Sequence, residues 1–307
     1  KTKYTVGTNG LLGINGNVEK LKIQSDNITN LSLPKSSPLL KALILVSKSS
    51  SATATATAID LSGLTDLESL LIAGYSIESL DLTKLNKLKN LGIGAWDLGA
   101  NFPEVTDAFG SIPEKASRIS EVKLPANNVI ENFIVRTATL QDGKCDFDNL
   151  PKLKKFLCQS PFFSNFTFAK STELEILYAT APTSGIKLNA DLGNKPKLKD
   201  ITFRNATLSK FAVSNATNVV LKDSNAGAIA VEFDNIPAAQ ALQYIASKAN
   251  ASVTSITLKN ITITEENLVK MIKRLQTSGG TLKVKGELLT TAVNAALSAK
   301  GWTGVAL

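Results

Sequence analysis

The sequence predicts an α/β solenoid: a right-handed coil of short parallel strands, closed at its C-terminal end by helix-bearing turns. Three observations predict it. Leu61, Leu67, Leu70 and Ile72 recur 21 residues later as Leu82, Leu88, Leu91 and Ile93, so the offsets from the first leucine are +6, +9 and +11 in both places. Residues around these positions alternate apolar and polar, as in Leu80-Asp81-Leu82 and Leu91-Gly92-Ile93, the pattern of strands with one buried face. After residue 235 the period changes to amphipathic helices separated by short apolar strands.

The same ruler runs from near the start to beyond the middle. From Leu12 it lands on Val18, Leu21 and Ile23; from Leu124 on Ile130, Phe133 and Val135; from Phe147 on Leu153, Phe156 and Cys158; and from Phe168 on Leu174, Leu177 and Ala179. Leu33 to Leu45, Leu188 to Phe203 and Val213 to Leu221 fit with small changes of length. Each turn is one supersecondary unit that cannot bury its apolar face without neighbours, so residues 1–235 form one stacked body. Every turn reads as two extended pieces joined by corners. Two parallel ladders with a continuous apolar core follow, with Leu61, Leu82, Phe147 and Phe168 in one row.

Two segments interrupt the ruler. Residues 102–117 have helical character, with Pro103 in a first turn and Gly110 as a stop. In the C-terminal part, 236–307, residues 237–248 read as an amphipathic helix. Thr264 caps a second helix whose Glu265 and Glu266 favour the N-terminal dipole, Gly279-Gly280 ends it, and residues 287–299 form a third. Apolar strands at Val253–Leu258, Leu282–Val284 and Val305–Leu307 separate them. Val284 and Val305 are again one period apart, so these turns continue the solenoid and shield its last hydrophobic face.

The stretch from Ile77 through Leu80-Asp81-Leu82, Leu85 and Leu88 to Leu91 resembles the leucine-rich repeats of bacterial surface and secreted proteins, of the internalin-like and Bacteroidetes kinds. The Ala299-Lys300-Gly301-Trp302 ending resembles the close of such domains. The resemblance implies an extracytoplasmic protein whose second strands form an exposed sheet used for binding. One departure stands out. Where these repeats place a buried asparagine after the second strand, this chain has Asp26, Lys48, Tyr75, Trp96, Ala138 and Pro161.

Composition narrows the functional classes. The 307 residues carry a net charge of +8 and a pI near 9.3, but basic and acidic residues are interleaved, and the Lys270, Lys273, Arg274 group reads as a solvated helix face rather than a nucleic-acid site. No apolar run approaches the ~20 residues of a membrane span. The chain starts at Lys1, from which a removed leader is expected. Cys145 and Cys158 fall on inward positions and read as buried thiols, with a disulfide inside one turn as the alternative.

Catalytic signatures are missing. There is no histidine, which removes the commonest general base. Gly92-Ile93-Gly94 lies on a strand and Gly279-Gly280 follows a helix, so neither is a phosphate cradle. The pairs Asp146/Asp148 and Glu265/Glu266 have structural readings as an outward strand face and a first helical turn. No enzyme activity, cofactor or metal is expected. The Asn-X-Ser/Thr matches at Asn27, Asn30, Asn165, Asn205, Asn215, Asn250 and Asn260 follow from an Asn- and Thr-rich composition.

The residue between the inward positions of each second strand faces away from the core. In order these are Lys22, Ile44, Leu71, Gly92, Ile134, Leu157, Tyr178, Thr202 and Val220. Ile44, Leu71, Ile134, Leu157 and Tyr178, with Ile176 beside them, would form an apolar stripe, the candidate surface for a protein or glycan partner or for self-association. Two other outcomes are open: the 102–117 excursion folds across the stripe, or the register slips. The competing functions are a binding or adhesion module, a ligand-free spacer at the cell surface, and a carboxylate hydrolase with two close acids in a cleft.

Overall fold

Nine strands, one from each turn, lie side by side in chain order in one parallel sheet: Lys20–Gln24, Ala42–Val46, Ser69–Ala73, Asn90–Ile93, Asn132–Val135, Lys155–Gln159, Ile176–Thr180, Asp200–Arg204 and Val220–Ser224. The structure, a computed structural model, describes residues 17–28, 31–32, 39–48, 54–56, 59–96, 98–137, 139–159, 164–180, 187–204, 207–224, 228–247, 253–277 and 279–307. Leu12, Leu33, Ala138 and Pro161, and the glycosylation-type matches at Asn30, Asn205 and Asn250, lie outside the described residues.

Backbone pairing aligns the ruler's first inward row, Leu21, Leu43, Leu70, Leu91, Phe133, Phe156, Leu177, Ile201 and Leu221. Leu70, Leu91, Phe133, Phe156 and Leu177 are wholly buried. Stacking at strand spacing turns a weak apolar face per turn into one continuous core, which also takes in Leu61, Leu82, Phe147 and Phe168. In its centre aromatic rings replace leucines and pack edge to face: Phe156 and Phe168 are 4.7 Å apart, Phe147 and Phe168 6.1 Å.

The opposite ladder departs from expectation. Instead of one continuous sheet it forms three among the described residues, of two, four and seven strands. Residues 141–154 make turns rather than a strand, with Gly143 at a φ of 75°, and the chain there is tied by bonds such as Val122 N–H to Lys144 O at 2.8 Å. The missing asparagine row has a counterpart on this side. Asn215 and Asn235 end successive strands in the left-handed region, at φ 59° and 51°. Asn215 Nδ2 donates to Asn194 Oδ1 and Asn235 Nδ2 to Asn215 Oδ1, both at 2.8 Å.

The seven-stranded sheet runs unbroken past residue 235, through Ala228–Asp234, Ser255–Lys259, Gly280–Val284 and Trp302–Ala306. Helices Ala238–Ser247, Glu265–Arg274 and Thr291–Ser298 take the place of the second strands. Thr264 Oγ1 accepts from Asn267 N–H, as its N-cap position requires. The third helix begins later than the sequence suggests, because Thr290 caps it and Gly286–Leu288 forms a separate 3-10 turn. Val305 pairs with Lys283, not Val284, and is 39% exposed, so that 21-residue spacing is not a structural equivalence.

Candidate functional site

Pairing places Lys22, Ile44, Leu71, Gly92, Ile134, Leu157, Tyr178 and Thr202 side by side on the outer face of the nine-stranded sheet. At the last turn the row continues to Lys222; Val220 pairs with Asp200 instead, because the short final turn displaces the ruler by two residues.

The stripe is not open to solvent, which corrects the candidate binding surface. Ile44, Leu71, Ile134 and Leu157 are at most 5% exposed and form a second core with Val46, Ala73, Ala95, Leu98, Phe102, Val105 and Ile112. The cover is a strap containing helices Leu98–Asn101 and Pro103–Phe109, with Pro103 in its first turn and Gly110 at φ 73° ending it. An apolar face of this breadth is costly in water, and Phe102, Val105 and Ile112 remove it from solvent. The strap is pinned at both ends. Ala95 and Lys115 exchange backbone hydrogen bonds of 2.7 and 2.9 Å, and buried Ser117 donates its N–H to Arg136 O and its hydroxyl to Ile72 O. Arg136 also pairs with Glu114 at 2.7 Å.

Of the predicted site residues, Ile176 and Tyr178 keep partial exposure, just beyond the strap. Trp96, at the strap's root, meets the Tyr178 ring edge to face with centroids 4.9 Å apart. The Arg204 guanidinium carbon lies 5.4 Å from the centroid of the same ring, on the exposed end of the next strand. Sequence reading missed Trp96 and Arg204 as a pair around Tyr178. Strand parity held the signal for Arg204, since residues 202 and 204 share a face.

Beside the sheet runs a second feature that the sequence analysis did not register. The residues immediately before its strands alternate in sign: Glu19, Lys41, Glu68, Lys89, Glu131, Lys154, Glu175 and Lys199, joined in succession by backbone hydrogen bonds. Lys89–Glu68, Lys154–Glu131 and Lys199–Glu175 are ion pairs of 2.9, 2.7 and 2.7 Å. Hydrogen bonds from Lys89 and Lys199 hold the carboxyls of Glu68 and Glu175 below their ordinary range. Each exposed pair contributes little, of order 0–1 kcal/mol. Their arrangement neutralises the sheet's flank.

A cleft of about 430 Å³ on the other side is lined by Glu78, Ser79, Ser120, Glu121, Lys144, Ile59 and Ile77. Ser79 Oγ donates to Glu121 at 2.7 Å, which draws that carboxyl's pKa down, the opposite of what a general acid needs. The displaced carboxyls elsewhere, Asp66, Asp81, Glu173 and Glu266, also move downward, each through a hydrogen bond to a neighbouring lysine or threonine. Asp148 accepts from Ala169 N–H at 3.1 Å, a turn-bracing role. Cys145 and Cys158 are both buried and are not joined by a disulfide, and burial pushes the Cys145 thiol up. No group of three or more His, Cys, Asp or Glu suited to a metal occurs among the described residues, and no helix among them is long and apolar enough to cross a membrane.

No family model and no curated protein matches the chain. Among solved structures, the functional domain of InlJ from Listeria monocytogenes, described as including a cysteine ladder, is similar over 85% of this chain at 14% identity and a TM-score of 0.37. The chain spans 59% of the length of that neighbour.

Proposed function

We propose that the chain is a non-catalytic, leucine-rich-repeat-type binding or adhesion module that presents a sheet face to a protein or glycan partner outside the cytoplasm. The supporting observation is the Trp96–Tyr178 pair. It leaves aromatic surface partly in solvent at the strap's margin, where the rest of the stripe has been withdrawn into a core. The absence of histidine and the lowered carboxyls leave poor material for acid–base chemistry, which supports a non-enzymatic reading. The test is retention of purified glycans and extracellular matrix proteins by the immobilised chain, compared with Tyr178→Ala. Saturable retention lost in the variant supports the module; identical behaviour of the two proteins removes Tyr178 from the site.

A second reading, a spacer without a ligand, draws on the strap and the alternating charge ladder, since both reduce the surface available for recognition. It expects no saturable retention by either protein.

A further inference from the structure

We infer that the margin of the strap, formed by Trp96, Tyr178, Thr202 and Arg204, binds a carboxylate-bearing glycan. The inference rests on the binding-module reading and names the ligand's chemistry. Arg204 is exposed, and its guanidinium makes no ion pair or hydrogen bond among the described residues. Its position over the Tyr178 ring restrains a long side chain, so less freedom is lost when its fork of in-plane donors meets a carboxylate. The contrast with the sheet's flank is informative. There, lysines are matched to glutamates one turn away. At the strap's margin the cation lies over an aromatic ring and is matched to no carboxylate among the described residues.

The surroundings select among carboxylate carriers. The strand Ile176–Thr180 is bonded on one side to Lys155–Gln159 and on the other to Asp200–Arg204, so no backbone edge is offered for an extended peptide to join. The apolar groove that would take a peptide helix is filled by Phe102 and Val105. Among the described residues the face beside the strap is a sheet surface, whereas a small molecule needs a concavity that encloses most of it. What is left is a ligand recognised by side chains alone: sugar C–H surfaces against the half-buried Trp96 and Tyr178 rings, a sugar hydroxyl donating to Thr202 Oγ1, which itself donates to Asp200 at 3.1 Å, and a uronate carboxyl on Arg204. The flank's balanced ladder argues for few charges per ligand rather than a dense polyanion.

The test uses the full chain with three probes: a trimer of galacturonic acid, the same trimer as its neutral methyl ester, and a glutamate-containing peptide of equal charge. Binding is followed by Trp96 fluorescence and calorimetry, with the other tryptophan, Trp302, replaced by Phe in every protein including the reference. The expected result is binding of the acid trimer, at least tenfold weaker binding of the ester, and reduction of the acid to the ester's level by Arg204→Gln, with an unchanged melting temperature. Equal binding of acid and ester, or indifference to Arg204→Gln, overturns the carboxylate inference. If ester binding is then lost in Tyr178→Ala, the binding-module reading stands without it. Binding of the peptide alone also overturns the inference and moves the partner to the protein class. Silence from all three probes overturns it as well, while the retention experiment judges the broader reading independently.

Discussion

Gly92 lies beneath Phe102: a Cβ built at position 92 would stand 3.6 Å from Phe102 Cζ and 2.5 Å from Leu71 Cδ1. In the outward row of otherwise large side chains, the one without a side chain is the seat on which the strap's central aromatic rests.

Gly92→Val is therefore expected to raise the strap. Leu71 Cδ1 is the end of a flexible side chain and can yield to one added carbon, but a branched residue also meets Phe102. Overpacking of this kind costs about 1–3 kcal/mol. Denaturant unfolding should show that loss, and amide exchange should accelerate in residues 98–110 before it does in the strand Asn132–Val135. Unchanged exchange in the strap would mean that Phe102 does not depend on this seat.

Leu157→Asp tests the stripe directly. On an exposed stripe this change would spare the melting temperature; at 5% exposure, in contact with the second core, it buries an unpaired carboxylate. A loss of several kcal/mol is expected, against less than about 1.5 kcal/mol for Leu157→Met. Similar melting temperatures for both variants would place Leu157 in solvent. For the same reason Leu157 is a poor probe of binding, and Tyr178 and Arg204, at the margin, are the positions to vary.

How much of this was legible follows from which interactions repeat. The inward rows could be read because every turn must fill the same slot, so a ruler built on Leu61 and Leu82 also locates Phe156 and Leu177. The strap's helix was legible from Pro103 and Gly110. Its destination was not, because docking on the sheet is a single, non-repeating event, Phe102 seated on Gly92, with no period to reveal it. Trp96 and Arg204 escaped for a related reason: they meet at Tyr178 from different turns and different elements. The fragmentation of the opposite ladder was also hidden, since Asp142-Gly143 replaces strand pairing by a local turn while leaving the neighbouring Cys145 and Phe147 inward. The charge ladder could have been read from Glu68, Lys89, Glu131 and Lys154 once the strand starts were known.

Both cysteines are expected to be inert in the folded chain. Cys158 lies on an interior strand at 1% exposure and Cys145 at 6%, and burial keeps the Cys145 thiol protonated at neutral pH. Since the thiolate is the reactive form, a bulky thiol reagent should label neither at pH 8 in native buffer, and both in denaturant. Rapid native labelling of Cys145 would show that its turn opens readily.

The last prediction concerns alkaline pH, where two buried groups act in opposite directions. Lys195 is 1% exposed, and its ammonium donates to the carbonyls of Leu192 and Asn194, the latter at 3.3 Å. Burial lowers its pKa to about 8 from 10.5, against the raising influence of Asp148 and Asp191. Between those values the unfolded chain holds a proton that the folded chain has released, so stability rises as pH is raised through that window, by at most roughly 1.4 kcal/mol for each step of one in pH. Tyr75 is wholly buried and donates its hydroxyl to Ser25 O; burial raises its pKa from 10.0 to about 12. Its contribution is complete below pH 10 and is lost as pH climbs toward 12, because the unfolded phenol ionises first. Lysines held up by ion pairs, such as Lys87 with Asp66, weaken in the same upper range, so Tyr75 must be read by difference. Urea unfolding at intervals from pH 7 to 11.5 should show a rise above pH 8 that is absent in Lys195→Met, and a fall above pH 10 that is shallower in Tyr75→Phe. If Lys195→Met keeps the full rise, the ammonium is charged and compensated in the fold at all these pH values, and the carbonyls of Leu192 and Asn194 hold it without a protonation penalty.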